Sequence, residues 1–243
     1  MSSWPHLASP PIVEGLIDIR VEPIGDTSVD RLKAAADTLA PEYPSRHELR
    51  RFSGQFNLGL EASASIDIQE NSTVGFGMQS ADELWVTQLR LDGLTVSRAR
   101  PYTSWQDLRT TAERLWSIFH SNTQYSKISR LAVRFVNSIP LPPGERIDRT
   151  LKLALLWPQP LPQSVAEFLV RVVVPFEEQQ CIALTTLSTQ NGSSTCVLDI
   201  DVFSERTNGF AEDEMWNVLD QLRDVKNRIF FESMTARAIE EFT

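Results

Sequence analysis

The stretch 210–231 (FAEDEMWNVLDQLRDVKNRIFF) carries a helical hydrophobic pattern that narrows the folds open to this chain. Its apolar side chains recur at three- and four-residue spacing, which places them along one face of a long helix. They are Trp216, Leu219, Leu222, Val225, Ile229 and Phe230. Acidic residues at the start of the stretch, with Lys226 and Arg228 at its end, fit the helix dipole. Such a helix needs a large apolar surface to lie on, and the strand-rich remainder can supply one.

Strand patterns dominate that remainder. Segment 12–21 alternates apolar and polar residues, so Ile17 faces one way and Asp18 the other, as in a half-buried strand. Segment 127–139 alternates in the same manner. A shorter helix is predicted at 147–156, a segment with prolines both before and after it.

The order strand, helix, several antiparallel strands, helix occurs twice along the chain, and Trp105 and Trp216 fall at matching points of the two long helices. We therefore predict an α+β fold of two tandem repeats, with curved sheets, helices on one face and a saddle-like outline. An N-terminal tail at 1–11 precedes a first repeat at 12–122 and a second at 127–243. The two repeats are expected to form one continuous globular unit.

One strand register follows from a turn signal. A three-residue loop at 191–193 would pair Ile182 with Val202, which suits the side-chain alternation better than a two-residue turn. In that register Cys181 and Cys196 point to opposite faces of the sheet. Both thiols are therefore expected to stay reduced.

Composition limits the classes of function. The net charge of −9 at pH 7 disfavours broad, salt-driven binding to nucleic acid. The sequence has no apolar run of the ~20 residues that span a bilayer. We see no signal-peptide pattern, and two cysteines suit a reducing compartment, so a cytoplasmic protein that does not bind membranes is expected.

Motifs for catalysis, metals and cofactors are weak. His6, His47 and His120 show no ligand spacing, and the cysteines have no histidine nearby in sequence. Glu14 and Asp18 lie roughly 13 Å apart along one strand, too far for a cooperating acid and base. We predict no catalytic residue, no metal and no cofactor, and an enzyme is the less favoured class.

The polar faces of the strands remain as the candidate binding surface. It contains Glu14, Asp18, Arg20, Arg130, Arg134 and Arg171. One interpretation is a solvated face with cross-strand ion pairs. The other is a contact surface, and its mixed charges suit a protein better than a phosphate backbone, which favours mostly Arg and Lys.

Four segments together resemble an uncharacterised, sporadically distributed family of bacterial proteins of about this length. They are PIVEGLIDIRV (11–21), LDGLTVSRARPYTSW (91–105), RLAVRFVNSIPLP (130–142) and LRDVKNRIFFESMT (222–235). The resemblance implies no established activity. The family's patchy distribution is similar to that of mobile, toxin–antitoxin or phage-defence genes. Positions that match the family pattern are Glu14, Asp18, Arg20, Arg98, Tyr102, Arg134, Asn137, Asn227 and Arg228.

These observations favour a non-enzymatic, cytoplasmic interaction protein with a protein partner, an accessory or antitoxin-like component of a mobile or phage-defence locus. The alternative is a nucleotide- or nucleic-acid-binding protein, or an enzyme of unknown type, that uses arginines on the open sheet face. A patch of several unpaired arginines would favour the alternative. Self-association of the chain is left open.

Overall fold

The computed structural model describes residues 4–25, 28–58, 64–141, 147–152, 167–189 and 194–243, giving the backbone alone at 52–58 and 64–71. In these ranges nine strands form one antiparallel sheet that is curled and does not close. The strands are Ile12–Pro23 (β1), Ser45–Leu58 (β2), Ala64–Gln79 (β3), Trp85–Arg90 (β4), Gly93–Ala99 (β5), Tyr125–Pro140 (β6), Phe168–Phe176 (β7), Cys181–Thr189 (β8) and Thr195–Phe210 (β9). The expected α+β class is confirmed.

The strand order places β1 and β6 side by side at the middle of the sheet. Across the sheet it reads β2-β3-β4-β5-β1-β6-β9-β8-β7, so β2 and β7 are the edges among the described strands. Strand β1 pairs with β5 on one side and with β6 on the other, both antiparallel. The central pair sets Ile17 opposite Val133 and Arg20 opposite Arg130.

Helices cover one face of the sheet, which we call the inner face. They are Val29–Leu39 (α1), Trp105–Asn122 (α2), Met215–Ser233 (α3) and the short Ala236–Glu240 (α4). Ile17, Val133 and Ile200 point to this face and are fully buried in a hydrophobic cluster that spans both halves of the chain. Ser104 caps the start of α2, because its hydroxyl accepts a hydrogen bond from the amide of Asp107.

The C-terminal helix lies on the sheet as its hydrophobic pattern predicts. Leu219 and Leu222 are buried in the core cluster, and Trp216 packs against it. The predicted ends were wrong, because α3 starts at Met215, after the acidic residues, and has no acidic first turn or basic last turn. Lys226 was expected in the last turn of the helix, but it lies earlier in α3 and is buried.

Two further predictions were wrong in part. The segment predicted as a helix at 147–156 forms only a 3-10 turn at Ile147–Arg149, and its part beyond 152 lies outside the described residues. The loop at 191–193 also lies outside them. The β8–β9 register sets Ile182 opposite Phe203, one residue from the prediction.

The observed β8–β9 register also changes the side-chain orientation of the two cysteines. Both point to the inner face and are buried as free thiols, so the predicted opposite orientation was wrong. Cys196 is level with Thr189, at the other end of β8 from Cys181. Eight residues along a strand separate the two levels by roughly 26 Å, far beyond the reach of a disulfide.

The N-terminal segment 4–11 runs beside the last two helices. The Trp4 ring stacks on Phe231 with 5.3 Å between ring centroids. The amide of Ser9 donates a hydrogen bond of 3.0 Å to the carbonyl of Phe242. Residues 4–11 thus form one wall above the C-terminal part of α3.

Candidate functional site

Five of the six predicted binding residues lie together on the outer face of β1 and β6. Glu14, Asp18 and Arg20 alternate with core residues along β1, so the strand pleat turns them away from the helices. Arg130 lies opposite Arg20, and Arg134 lies opposite Leu16. The antiparallel β1–β6 pair therefore brings the two predicted groups of charges together.

Asp18 is the centre of this arrangement and is only 6% exposed. Its Oδ1 accepts hydrogen bonds from the Thr95 hydroxyl at 2.7 Å and from Arg90 Nη2 at 3.0 Å. Its Oδ2 accepts from Arg20 Nε at 2.9 Å and Arg130 Nη1 at 3.0 Å. The carboxylate is thus satisfied by four donors from β1, β4, β5 and β6, which we call the Asp18 cluster.

The electrostatic balance in the cluster favours the ionised carboxylate. Burial raises the pKa of Asp18, but the positive charge of Arg20, the Thr95 hydrogen bond and the charge of Arg90 outweigh it, so the pKa lies below its usual value. The arginines are largely covered too, with Arg90 having 16% of its side chain exposed. The cluster is consequently a fixed part of the fold.

A second set of carboxylates surrounds the cluster. Asp92 lies 3.3 Å from Arg20 Nη1 and 3.4 Å from Arg90 Nε. Arg130 lies within 3.6 Å of Asp201 and within 3.4 Å of Glu205, and its guanidinium is 4.5 Å from the centre of the Phe203 ring. Each arginine of the Asp18 cluster therefore has more than one negative neighbour.

Gly93 has a structural reason to lie beside these arginines. It has a φ of +150° and is paired with Arg20 on β1 and Arg90 on β4. A Cβ atom at this position would come within 2.2 Å of the carbonyl oxygen of Ile19. Glycine thus allows the close approach of β5 to β1 that the cluster requires.

Arg134 forms a separate pair on the same face. Its Nε and Nη2 donate to the two oxygens of Asp199 at 2.8 and 2.6 Å, a bidentate geometry. The hydrogen bond to Asp199 raises the pKa of Arg134. Burial raises the pKa of the neighbouring Asp201, although Arg130 and Arg134 act against that shift. The remaining predicted residue on β1, Glu14, accepts a hydrogen bond from Ser97.

Arg171 lies apart from the others, on the exposed edge strand β7. The register aligns it with Thr186 on β8 and Asp199 on β9. At the usual strand spacing, Arg171 is roughly 10 Å from the Asp199 backbone. A polar row thus runs from β7 across β8 to the partner of Arg134.

Apolar side chains flank this polar row on the outer face, and the sequence interpretation missed them. Leu169 is 70% exposed, Val173 is 58% exposed, and Ile182 and Val197 are also exposed. We call these four residues the β7–β9 apolar patch. The segment FLVRVVVPF could have indicated this patch, because its run of apolar residues lacks the alternation of apolar and polar residues expected of a half-solvated strand.

Sequence reasoning also missed Arg90, Asp92 and Thr95 as members of the Asp18 cluster. Arg90 ends β4 and Asp92 lies in the turn between β4 and β5, but nothing in the sequence indicates that β5 lies beside β1. Within the described ranges, no group of three or more His, Cys, Asp or Glu residues is placed to hold a metal ion. Of the helices in the described part of the chain, none is both long and apolar enough to cross a membrane.

Comparisons with known proteins give no assignment. No family model matches the chain, and no curated protein matches it.

Proposed function

We propose that this protein is a non-enzymatic interaction protein that binds a partner protein through the outer face of β6, β9, β8 and β7. The observation that carries this proposal is the β7–β9 apolar patch, which lies on the same face as the Arg134–Asp199 pair. Exposed apolar surface bordered by polar residues is typical of protein contact sites. Arg171 lies within the patch and Arg134 at its border.

Charge complementarity indicates the kind of partner. The Asp18 cluster and its neighbours contain Asp18, Asp92, Asp199, Asp201, Glu205 and Glu14, against Arg20, Arg90, Arg130 and Arg134. Carboxylates outnumber arginines, so a partner surface with an apolar centre and basic residues around it fits best.

The alternative of nucleotide or nucleic-acid binding stays a prediction with less support. Each of these four arginines already contacts a carboxylate, so none offers an unpaired positive charge to a phosphate. The net charge of −9 adds repulsion at longer range.

A pull-down from the native host with matched surface variants tests the proposal. Val173→Glu and Leu169→Glu each place a charge in the apolar patch, whereas Ile24→Glu changes a 49% exposed residue elsewhere. We expect a specific partner to be retained by wild type and the Ile24 variant and lost from both patch variants. Cross-links from the partner should map to β7–β9. A partner retained equally by all forms, or cross-linked elsewhere, contradicts the proposal.

We also propose, from the family resemblance, that this is a cytoplasmic protein and that the partner is a toxin or effector encoded beside it. In that case co-expression should relieve growth inhibition by the neighbouring gene product. The Val173→Glu variant should give no relief at equal expression, while Ile24→Glu should protect like wild type. If the Val173→Glu variant protected as well as wild type, neutralisation of the toxin would not depend on this surface.

We further propose that the chain arose by duplication of one α+β unit. In support, the opening strand of each half lies beside its closing strand, as β1 lies beside β5 and β6 beside β9. The other strands follow outwards in reverse chain order, and each half closes with a long helix. Superposition of the two halves should align α2 with α3, and misaligned helices would contradict a duplication.

A further inference from the structure

A cavity of about 360 Å³ lies on the inner side of the sheet, away from the proposed contact face. Its walls come from the N-terminal segment 4–11, residues 102–105, β6 and the C-terminal half of α3. The lining includes the large aromatic side chains of Trp4, Tyr102, Trp105, Phe135, Phe230 and Phe231. This volume and lining are within the range of sites for small organic ligands.

Lys226 places its amino group at this apolar site. The residue is only 7% exposed, and its Nζ lies 3.8 Å from the centre of the Phe135 ring. Among the described residues, no carboxylate lies within ion-pair distance of that nitrogen. A buried ammonium without a counterion is costly, because desolvation is not offset by an opposite charge.

Trp4, which lines the same cavity, also carries an unpaired donor. Its indole Nε1 is buried and has no hydrogen-bond acceptor in the described structure. The ring is held by its stacking on Phe231. Buried donors are normally paired, so an unpaired indole N–H on a residue of the same cavity as an amine without a counterion indicates a missing acceptor.

We propose that this cavity binds a small aromatic monocarboxylic acid, with its carboxylate on Lys226 and the Trp4 N–H and its ring among the aromatic walls. A carboxylate supplies both a counterion for the Lys226 ammonium and acceptor oxygens for the indole N–H. The aromatic body of the ligand would replace water against Tyr102, Trp105 and Phe135. This site is independent of the proposed protein-contact face.

The charge state of Lys226 makes the proposal testable by pH. Burial, with a smaller effect of Arg223, lowers the pKa of Lys226 to about 7, and Asp224 acts weakly in the opposite direction. Above pH 7 the free amine is therefore mostly neutral. An acid that pairs with the ammonium form must then bind together with one proton, which Lys226 takes up. With one proton taken up, affinity should fall about tenfold for each pH unit between 7.5 and 9.5.

Other titratable groups around the cavity need a control. Tyr102 faces it from the residues before α2, and burial raises its pKa, so it stays neutral over this pH range. His6 faces it from the N-terminal segment, and Arg223 from α3. A His6→Gln variant should keep the same pH slope if Lys226 is the titrating group.

Isothermal titration calorimetry should use benzoate, phenylacetate and indole-3-acetate against their neutral primary amides. We expect at least one acid to bind saturably and about tenfold or more tightly than its amide, as a charged hydrogen bond implies. Lys226→Met should remove this preference, and Trp4→Phe should weaken binding of the acid. Arg228→Met removes an exposed charge from the same helix and should have no effect.

The proposal is overturned if none of the three acids saturates, if the amides bind as tightly as the acids, or if Lys226→Met keeps the preference. Circular dichroism should first confirm that each variant folds. If Lys226→Met did not fold, the acid-to-amide ratio and the pH slope of wild type would decide alone.

Discussion

At the scale of single residues, Asp18 shows how a charge can be buried on an otherwise open sheet face. Four donors fill its two oxygens, and three of them are arginines that would repel one another without it. The arginines gain their positions from the carboxylate, and the carboxylate gains its ionised form from the arginines. The group is therefore a structural unit rather than a set of separate surface pairs.

Replacing Asp18 should destabilise the fold far more than replacing an outer carboxylate. Asp18→Asn leaves three largely covered arginines without their shared partner and should cost about 3 kcal/mol in the free energy of unfolding. Asp92→Asn removes a carboxylate that is 43% exposed and should cost under about 1 kcal/mol. Urea unfolding at neutral pH measures both. A cost below about 1 kcal/mol for Asp18→Asn would show that the cluster adds little stability.

The difference in unfolding free energy between wild type and Asp18→Asn should depend on pH, and the pKa shift of Asp18 gives the direction. The folded pKa of Asp18 is below its usual value, so its stabilisation is complete above the unfolded pKa of about 3.9 and is lost as pH falls through the folded pKa. The gap between wild type and Asp18→Asn should thus be constant above about pH 5. It should narrow below about pH 4.

Lys226 should show the opposite kind of dependence. Its folded pKa of about 7 is below its ordinary value of 10.5, so the unfolded chain binds the extra proton between these values. The destabilisation that comes from burying the Lys226 amine is fully present below pH 7 and fades as pH rises towards 10.5. Lys226→Met should therefore raise stability more at pH 6.5 than at pH 9.5, as measured by urea unfolding. An equal gain at both pH values would mean that the buried amine does not titrate in this window.

At the scale of elements, α3 is the helix whose burial follows most directly from its sequence. Leu222 is 1% exposed, and its replacement by alanine should cost ~2–5 kcal/mol through lost burial and a cavity. Gln221→Ala changes an exposed neighbour on the same helix and should stay within about 0.5 kcal/mol. Chemical denaturation of both variants provides the measurement. A small loss for Leu222→Ala would mean that α3 does not anchor the core.

Element types could be read from the sequence, but hairpin registers could not. The dipeptide Asp92-Gly93 is typical of a two-residue hairpin turn, but the observed register sets Leu89 opposite Leu94, both buried, and so places the turn at Leu91 and Asp92. In β8 the inner face takes Ala183 and Leu187 rather than Ile182 and Leu184. Core packing decided both cases, and a one-residue shift exchanges the two faces of a strand.

The candidate sites were only partly predictable for a related reason. Alternation along β1 and β6 correctly assigns Asp18, Arg20, Arg130 and Arg134 to a polar face, since that inference needs only local periodicity. The contribution of Arg90 requires the neighbours of β1 to be known. The aromatic cavity likewise depends on residues distant in sequence, such as Trp4 and Lys226.

At the scale of the whole molecule, the β1–β6 pair joins the two halves of the chain. It sets the fully buried Ile17 opposite Val133, and the hydrogen bond from Arg130 to Asp18 crosses the same boundary. Each half alone would expose a long central strand with an apolar inner face. Such an edge is expected to pair with another strand or to aggregate.

Fragments cut at this boundary should therefore fold only together. We expect fragment 1–123 and fragment 124–243 to be insoluble or unfolded when expressed singly, because each loses the neighbour of its central strand. Co-expression should yield a soluble one-to-one complex by size-exclusion chromatography, with a circular dichroism spectrum like that of the intact chain. In the second fragment, Val133→Asp places a charge opposite Ile17 and should prevent assembly, whereas Asn208→Asp changes an exposed residue of β9 and should permit it. A single fragment that is monomeric and unfolds cooperatively would show instead that each half is an autonomous domain, and the shared core would then be an interface between domains.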